Sequence, residues 1–179
     1  MWAGIAATLW GFAESTLFFI VPDVLLSAIA IRNLRLALFA SLLATLGAMA
    51  GGTLMYSWSA ADPGDAVQSV TRLPDVRPDM PERVREHLQD MGAVATVLGP
   101  LRTTPYKLYA VLAPANEVPY WQFLLVTPVA RLPRFLLASV VAAVAAQYLR
   151  PWLGARGLYA LWFVAWLSIY LVLWRELIF

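Results

Sequence analysis

Long apolar stretches dominate the chain and are separated by short polar breaks. The clearest is residues 36–58, twenty-three positions without a charged side chain, which follow Arg32 and Arg35. About twenty apolar residues in a helix span the hydrocarbon core of a bilayer, and basic residues beside such a span anchor it at the interface. The pattern therefore predicts a transmembrane helix. Its Gly47 and Gly51 predict close packing against a helix of the same bundle, with dimerisation as the alternative.

Two further apolar segments, residues 120–149 and 157–175, are also long enough to cross a bilayer. Four residues interrupt the first of them: Pro128, Arg131, Pro133 and Arg134. We therefore expect a kinked helix that carries charges inside the membrane. Five aromatic residues are spread along the second: Tyr159, Trp162, Trp166, Tyr170 and Trp174. Amphipathic rings near the ends of a span are typical of the membrane interface, so we interpret them as interfacial belts.

Two apolar regions, residues 1–31 and 92–119, are too broken to be ordinary spans. Glu14 and the Pro22-Asp23 pair interrupt the first, and residues 99–107 interrupt the second. The arms of the second would be on the order of 10 to 15 Å long as helices, about half a bilayer. Non-helical backbone at membrane depth is tolerated only where it is buried in protein or lines a wet cavity. We therefore predict two re-entrant helical hairpins around an internal polar site.

The breaks in the two hairpins have similar sequences. Residues 11–16 read G-F-A-E-S-T, and residues 99–104 read G-P-L-R-T-T. Paired interrupted segments in corresponding halves of a chain are typical of transporters built from inverted repeats. We therefore predict that the hairpins form an inverted repeat and that Glu14 pairs with Arg102. A chance similarity is the open alternative.

The strongly polar segment, residues 59–91, lies between these apolar regions. It holds four prolines, four arginines, seven acids and the single histidine, and we expect it outside the membrane. The D-x-x-E pattern from Asp79, with Pro81 in the first turn, predicts a helix start. Three apolar residues then recur at helical spacing: Val84, Leu88 and Met91. We expect one short amphipathic helix on the surface, with His87 in solvent.

Composition supports an all-α integral membrane protein and excludes several other classes. Hydrophobic residues make up 61% of the chain and charged residues 13%, with a mean hydropathy of +0.68. We expect one membrane domain over residues 1–179, with about three full transmembrane helices, the two hairpins and the surface helix. The lack of cysteine excludes thiolate chemistry and Cys-ligated metals, and the net charge of +2 does not favour nucleic acid. We predict neither cofactor, metal nor enzymatic activity.

Six charged residues fall inside the predicted membrane segments: Glu14, Asp23, Arg102, Lys107, Arg131 and Arg134. A charge near the bilayer centre costs roughly 2.5 to 3.5 kcal/mol even on lenient scales, so each is a functional hypothesis. The four cations suit a phosphate head group, because guanidinium matches phosphate oxygens bidentately. The two acids could exchange protons, because burial moves a carboxyl pKa towards the working range. The alternative is that acids and cations form static structural pairs.

Three patches of sequence resemble the DedA superfamily, also called VTT or SNARE-associated membrane proteins, and specifically its small bacterial YqaA-like branch. Residues 12–26 read F-A-E-S-T-L-F-F-I-V-P-D-V-L-L, residues 105–107 read P-Y-K, and residues 131–135 read R-L-P-R-F. The resemblance covers roughly residues 10–150. The chain departs from the family pattern at three places: Ile20-Val21, Ala113-Pro114-Ala115 and Ala130.

This resemblance implies two opposed re-entrant hairpins in a multi-pass protein of the bacterial inner membrane. It implies transport or scrambling of phospholipids or undecaprenyl phosphate, with proton coupling. Glu14 and Asp23 become the candidate coupling acids, and Lys107, Arg131 and Arg134 the candidate phosphate contacts, with Arg102 matching the broader superfamily. Membrane lipids with an anionic head group are the expected partners, and a homo-oligomer is left open. The alternatives are a lipid-phosphate enzyme, a non-transporting scaffold and a proton-cation antiporter.

Overall fold

A computed structural model describes residues 2–99 and 104–178, and all regular secondary structure in these two ranges is helical. The helices are α1 (Trp2–Ser15), α2 (Asp23–Ala30), α3 (Leu34–Ala61), α4 (Pro63–Thr71), α5 (Met80–Met91), α6 (Ala95–Leu98), α7 (Tyr106–Leu112) and α8 (Tyr120–Ile178). Short 3-10 turns occupy Gly92–Val94 and Pro114–Asn116. The all-α prediction is therefore confirmed. Two helices, α3 and α8 as far as Leu173, are long and apolar enough to cross a membrane.

Close packing of α1 along α3 forms the first part of the core. Gly47 lies against the backbone of Thr8, and Gly51 lies against that of Phe12. A side chain at either glycine would collide with the α1 backbone, so the missing Cβ atoms are what allow the two helices to approach. Within the chain, the predicted role of this glycine pair in intramolecular packing is confirmed.

The long helix α8 folds back on itself at Gly154. This residue has φ 61° and ψ −175°, a conformation that glycine adopts far more readily than other residues. Residues 138–149 and 158–166 line the same groove, so the N-terminal arm (120–153) and the C-terminal arm (155–178) run antiparallel. The φ/ψ values stay helical at Pro128 and Pro133, and the reversal of direction falls at Gly154, beyond the predicted segment 120–149.

The helices of the two predicted hairpins are short. With 14 residues in α1 and 8 in α2, their lengths are about 21 and 12 Å, against about 30 Å for the hydrocarbon core. The second region is shorter still, with 4 residues in α6 and 7 in α7. Residues 100–103 of the link between α6 and α7, which include Arg102, lie outside the described residues.

Two helices, not one, form within the polar segment, and both cover α7. Asp62 caps α4 by accepting a hydrogen bond from the Asp65 amide. Apolar side chains of α4 and α5 are buried in the same cluster as α7: Ala66, Val70, Met80, Val84 and Leu88. All seven residues of α7 are buried, so its polar backbone and its lysine are enclosed by protein.

Two details of the predicted surface helix are wrong. Met91 is exposed, and Met80 at the opposite end of α5 joins Val84 and Leu88 in the core instead. His87 is half-buried, and its Nδ1 lies 3.0 Å from the Tyr109 hydroxyl, so it contacts α7 instead of standing free in solvent. The predicted helix start at Asp79 is confirmed, although its side chain makes no capping hydrogen bond.

The aromatic row of the C-terminal arm makes hydrogen bonds to α2 and to the residues just before it, and its position at a membrane interface stays a prediction. The indole N–H groups of Trp162 and Trp166 both donate to the Ser27 hydroxyl, at 2.9 and 3.0 Å. The Val21 amide donates to the Tyr170 hydroxyl at 3.0 Å. These aromatic residues recur every three or four positions, so they share one helix face, and that face is turned towards α2. The side chain of Trp174 lies outside the described part of the chain.

Candidate functional site

Three ion pairs meet where the first hairpin, α7 and α8 come together. Glu14 pairs with Arg131, Asp23 pairs with Arg134 at 2.8 Å, and Lys107 pairs with Asp75 at 3.0 Å. The two acids of the first hairpin stand at its tip, Glu14 in the last turn of α1 and Asp23 at the start of α2. The three cations and the three acids of these pairs balance in formal charge, so this set of pairs is neutral.

Arg131 is at the centre of the arrangement and only 1% of it is exposed. Its Nη2 donates to the Glu14 carboxylate, and its guanidinium lies 5.3 Å from the centroid of the Tyr106 ring and 4.9 Å from that of Phe135. Cation-π contacts of this kind stabilise a guanidinium that has lost its water. Its Nε is buried and has no hydrogen-bond partner among the described residues. The guanidinium therefore keeps one donor unused.

Arg134 follows one turn later on the same face of α8, as the spacing predicted. About a third of its side chain is exposed, whereas its partner Asp23 is buried. The Oδ1 atom of Asp23 is also buried and accepts no hydrogen bond within the described ranges. A buried carboxylate with so few donors depends on its cation for most of its compensation.

Lys107 joins three parts of the molecule instead of facing the cavity. Its ammonium donates to the Phe18 carbonyl at 2.7 Å, which lies in the tip of the first hairpin, and contacts the Asp75 carboxylate. Asp75 belongs to the segment between α4 and α5, so that segment folds back over the site. Nothing in the sequence distinguished Asp75 from the other acids of the polar segment; a buried lysine's need for an anionic partner was the only general signal.

A cavity of about 350 Å³ lies beside these pairs. Its polar lining includes Glu14, Arg131 and Arg134, and the segment between α4 and α5 adds Asp75 and Arg77. Apolar residues of the C-terminal arm form another wall: Trp166, Ile169 and Leu173. Ile169 and Leu173 are also exposed on the outside of the arm. The cavity therefore joins a charged floor to an apolar outer surface, a shape that suits an amphiphile with a charged head.

The structure brings five of the six predicted site residues together. Glu14, Asp23, Arg131 and Arg134 are adjacent as paired charges, while Lys107 ties the surrounding segments. The predicted partner of Glu14 was Arg102, which lies outside the described residues, but the partner observed is Arg131. This follows from α8 packing on α2 and α3, which brings the Arg131 side chain within reach of the last turn of α1; the similarity of the two hairpins did not reveal that contact between distant segments.

Within the described ranges, no group of three or more His, Cys, Asp or Glu residues is placed to hold a metal ion. No protein-family model matches the chain, no curated protein has a significantly similar sequence, and no solved structure has a significantly similar fold.

Proposed function

We propose that the chain is an integral membrane protein. In the most apolar 18-residue stretch of each helix, only 44% of α3 and 28% of α8 is buried within the protein. Large apolar side chains face outwards along both helices, among them Phe39, Leu42, Leu46, Leu125, Leu137 and Phe163. Soluble monomers rarely expose contiguous apolar patches larger than a few hundred Å². A lipid environment would satisfy these surfaces, and the charged outer faces of α4 and α5 would meet water.

Within the membrane, we propose that residues 1–31 and 92–119 are re-entrant hairpins that oppose each other as an inverted repeat. The short lengths of their helices support this arrangement, as does the contact of Lys107 with Phe18 at the tip of the first hairpin. Together with the sequence resemblance, this favours a DedA-like protein of the bacterial inner membrane.

The function that we propose is movement of a phosphate-bearing lipid, such as a polyprenyl phosphate or a phospholipid, between the two leaflets. The observation that carries this proposal is the cavity, in which two arginines of α8 lie under an apolar wall that opens outwards. The head group would rest on Arg131 and Arg134, and the hydrocarbon part would leave along the C-terminal arm. Guanidinium suits phosphate because two N–H groups can donate to two oxygens at once.

The neutral balance of the site gives a physical reason for proton coupling. While Glu14 and Asp23 are ionised, they compensate the two arginines and a phosphate would meet competing carboxylates. Protonation of Glu14 leaves the buried Arg131 guanidinium uncompensated, a state that costs several kcal/mol, and protonation of Asp23 frees the partly exposed guanidinium of Arg134. An incoming phosphate removes that cost, so proton and phosphate each favour the other's binding, and loss of the proton favours release. The unused Nε donor of Arg131 adds to the attraction.

Vesicles that contain purified protein test the proposal. We would follow bilayer movement of a fluorescent phospholipid and of a polyprenyl phosphate for the native chain, Arg131→Ala and Glu14→Gln. Arg83→Ala, which removes an exposed cation of α5, is the matched control. We expect movement by the native chain and the control, and its loss in Arg131→Ala. Lipid movement equal to that of empty vesicles would refute the proposal; ion flux without lipid movement would indicate an antiporter, and neither activity a scaffold.

A further inference from the structure

A second cavity, of about 310 Å³, runs between the two arms of α8. Small side chains of the N-terminal arm, including Ala138, Ala142 and Ala145, face Leu161 and Ala165 of the C-terminal arm across it. Small residues on facing membrane helices usually let the backbones pack closely. Here the arms stay apart and leave a groove.

The groove meets the charged cavity at Trp166, which lines both. The indole of Trp166 is held by its hydrogen bond to Ser27, as is that of Trp162. Ser27 lies four residues after Asp23, the partner of Arg134, so about 6 Å of helix separates the charged floor from the groove. That distance fits a molecule whose charged head is bonded directly to a hydrocarbon chain.

The lining of the groove excludes a polar occupant. Among the described residues that line it, the polar groups are the Ser27 hydroxyl and the indole N–H groups of Trp162 and Trp166, and these bond to one another while the hydroxyl donates within α2. The remaining walls are alkyl or aromatic carbon. A water-sized group occupies about 30 Å³, so the groove has room for roughly ten methylene-sized groups. That number corresponds to part of one hydrocarbon chain.

We propose that this groove binds one hydrocarbon chain of the lipid whose phosphate rests on Arg131 and Arg134. The inference rests on the proposed function and deepens it, because it requires a substrate in which one slender alkyl or isoprenoid chain adjoins the phosphate. Trp166 is the common wall between the head-group and chain subsites.

The test uses full-length protein in vesicles and a dodecyl phosphate with a photoreactive diazirine in mid-chain. Diazirine-bearing dodecanol, which lacks the phosphate, is the comparison probe. Ala142→Trp fills the groove, and Val144→Trp places the same ring on the lipid-exposed side of the same arm. Ala138→Leu is a second, milder filling of the groove, for use if Ala142→Trp fails to fold. Labelled residues are mapped by mass spectrometry.

We expect the phosphate probe to label groove residues of both arms in the native chain. Labelling should fall about tenfold in Ala142→Trp, because losing the burial of roughly two methylene groups lowers the affinity by about that factor. In Val144→Trp it should stay within about twofold of the native level. Equal labelling by the dodecanol probe would mean that bulk lipid fills the groove, and would overturn the inference. So would undiminished labelling when the groove is filled.

Lipid movement measured on the same vesicles separates this inference from the proposed function. Native protein that moves lipid while its groove is not labelled would overturn the groove and leave the function standing. Native protein that moves no lipid would overturn the function itself, whatever the labelling pattern.

Discussion

The same kinds of ion pair occur in two very different settings in this molecule. At the site, Arg131 and Glu14 are both almost completely removed from solvent. On α5, Arg85 and Glu82 are also in direct contact, at 2.7 Å, but 42% and 68% of their side chains are exposed. Buried ions have lost their hydration and depend on each other, whereas exposed ions are still solvated. Burial, not the contact distance, therefore decides what each pair contributes.

Asp79 illustrates the exposed setting. Desolvation raises its pKa, but a backbone hydrogen bond and the guanidiniums of Arg83 and Arg77 outweigh that effect, so the pKa lies below its ordinary value. The carboxylate is thus ionised at neutral pH and loses this small favourable contribution only as the pH falls through its lowered pKa. Exposed ion pairs of this kind contribute little to the stability of the fold.

The largest effect should come from breaking the central buried pair on one side only. Arg131→Met removes the guanidinium and leaves Glu14 buried without its cation, which we expect to lower the free energy of unfolding by about 3 to 5 kcal/mol. Denaturant unfolding of the detergent-solubilised protein, followed by near-ultraviolet circular dichroism, would measure it. The double variant Glu14→Gln/Arg131→Met should recover part of the loss. A single variant as stable as the native chain would contradict the assigned pair.

Breaking the ion pair of Lys107 with Asp75 should have the second-largest effect on the free energy of unfolding. Asp75→Asn keeps the shape of the side chain but removes the charge opposite a buried ammonium, and the Phe18 carbonyl remains as a partner. We expect a loss of about 1 to 3 kcal/mol in the same unfolding measurement. Asp90→Asn, which neutralises an exposed acid of α5, is the control and should leave stability unchanged. Equal behaviour of the two variants would show that the Asp75 contact contributes nothing.

The uncharged hydrogen bonds to Ser27 should contribute less to stability than the buried ion pairs and more than the exposed ones. Ser27→Ala removes the acceptor shared by Trp162 and Trp166 and leaves two indole N–H groups without it. We expect a loss of about 1 to 2 kcal/mol, together with a shift in tryptophan fluorescence as α2 loosens from the C-terminal arm. Ser168→Ala, at an exposed position of that arm, should change neither. An unaltered fluorescence spectrum in Ser27→Ala would argue against this docking.

The sequence was sufficient for features that follow from local pattern. The length of the apolar stretches predicted α3 and the two arms of α8, apolar spacing predicted α5 but not α4, and the spacing of Gly47 and Gly51 predicted close intramolecular packing. The free-energy cost of placing a charge in an apolar region singled out six residues, and five of them lie together in the structure. Features that depend on contacts between distant segments were not predictable: the pairing of Glu14 with Arg131, the folding of Asp75 over the site, and the docking of the aromatic row on α2. Each requires knowledge of which elements are neighbours, which a periodic pattern does not contain.

The smallest effect on stability should come from breaking the exposed pair of Arg85 and Glu82. Arg85→Gln removes the contact with Glu82 but leaves both positions in water, so we expect no measurable change in the free energy of unfolding. Any residual change should disappear between low and high salt, because exposed charges are screened over about 10 Å at 0.1 M. The buried pair should keep its effect at both salt concentrations, since counterions do not reach it. A loss in Arg85→Gln as large as that in Arg131→Met would contradict the view that burial sets the contribution of these pairs.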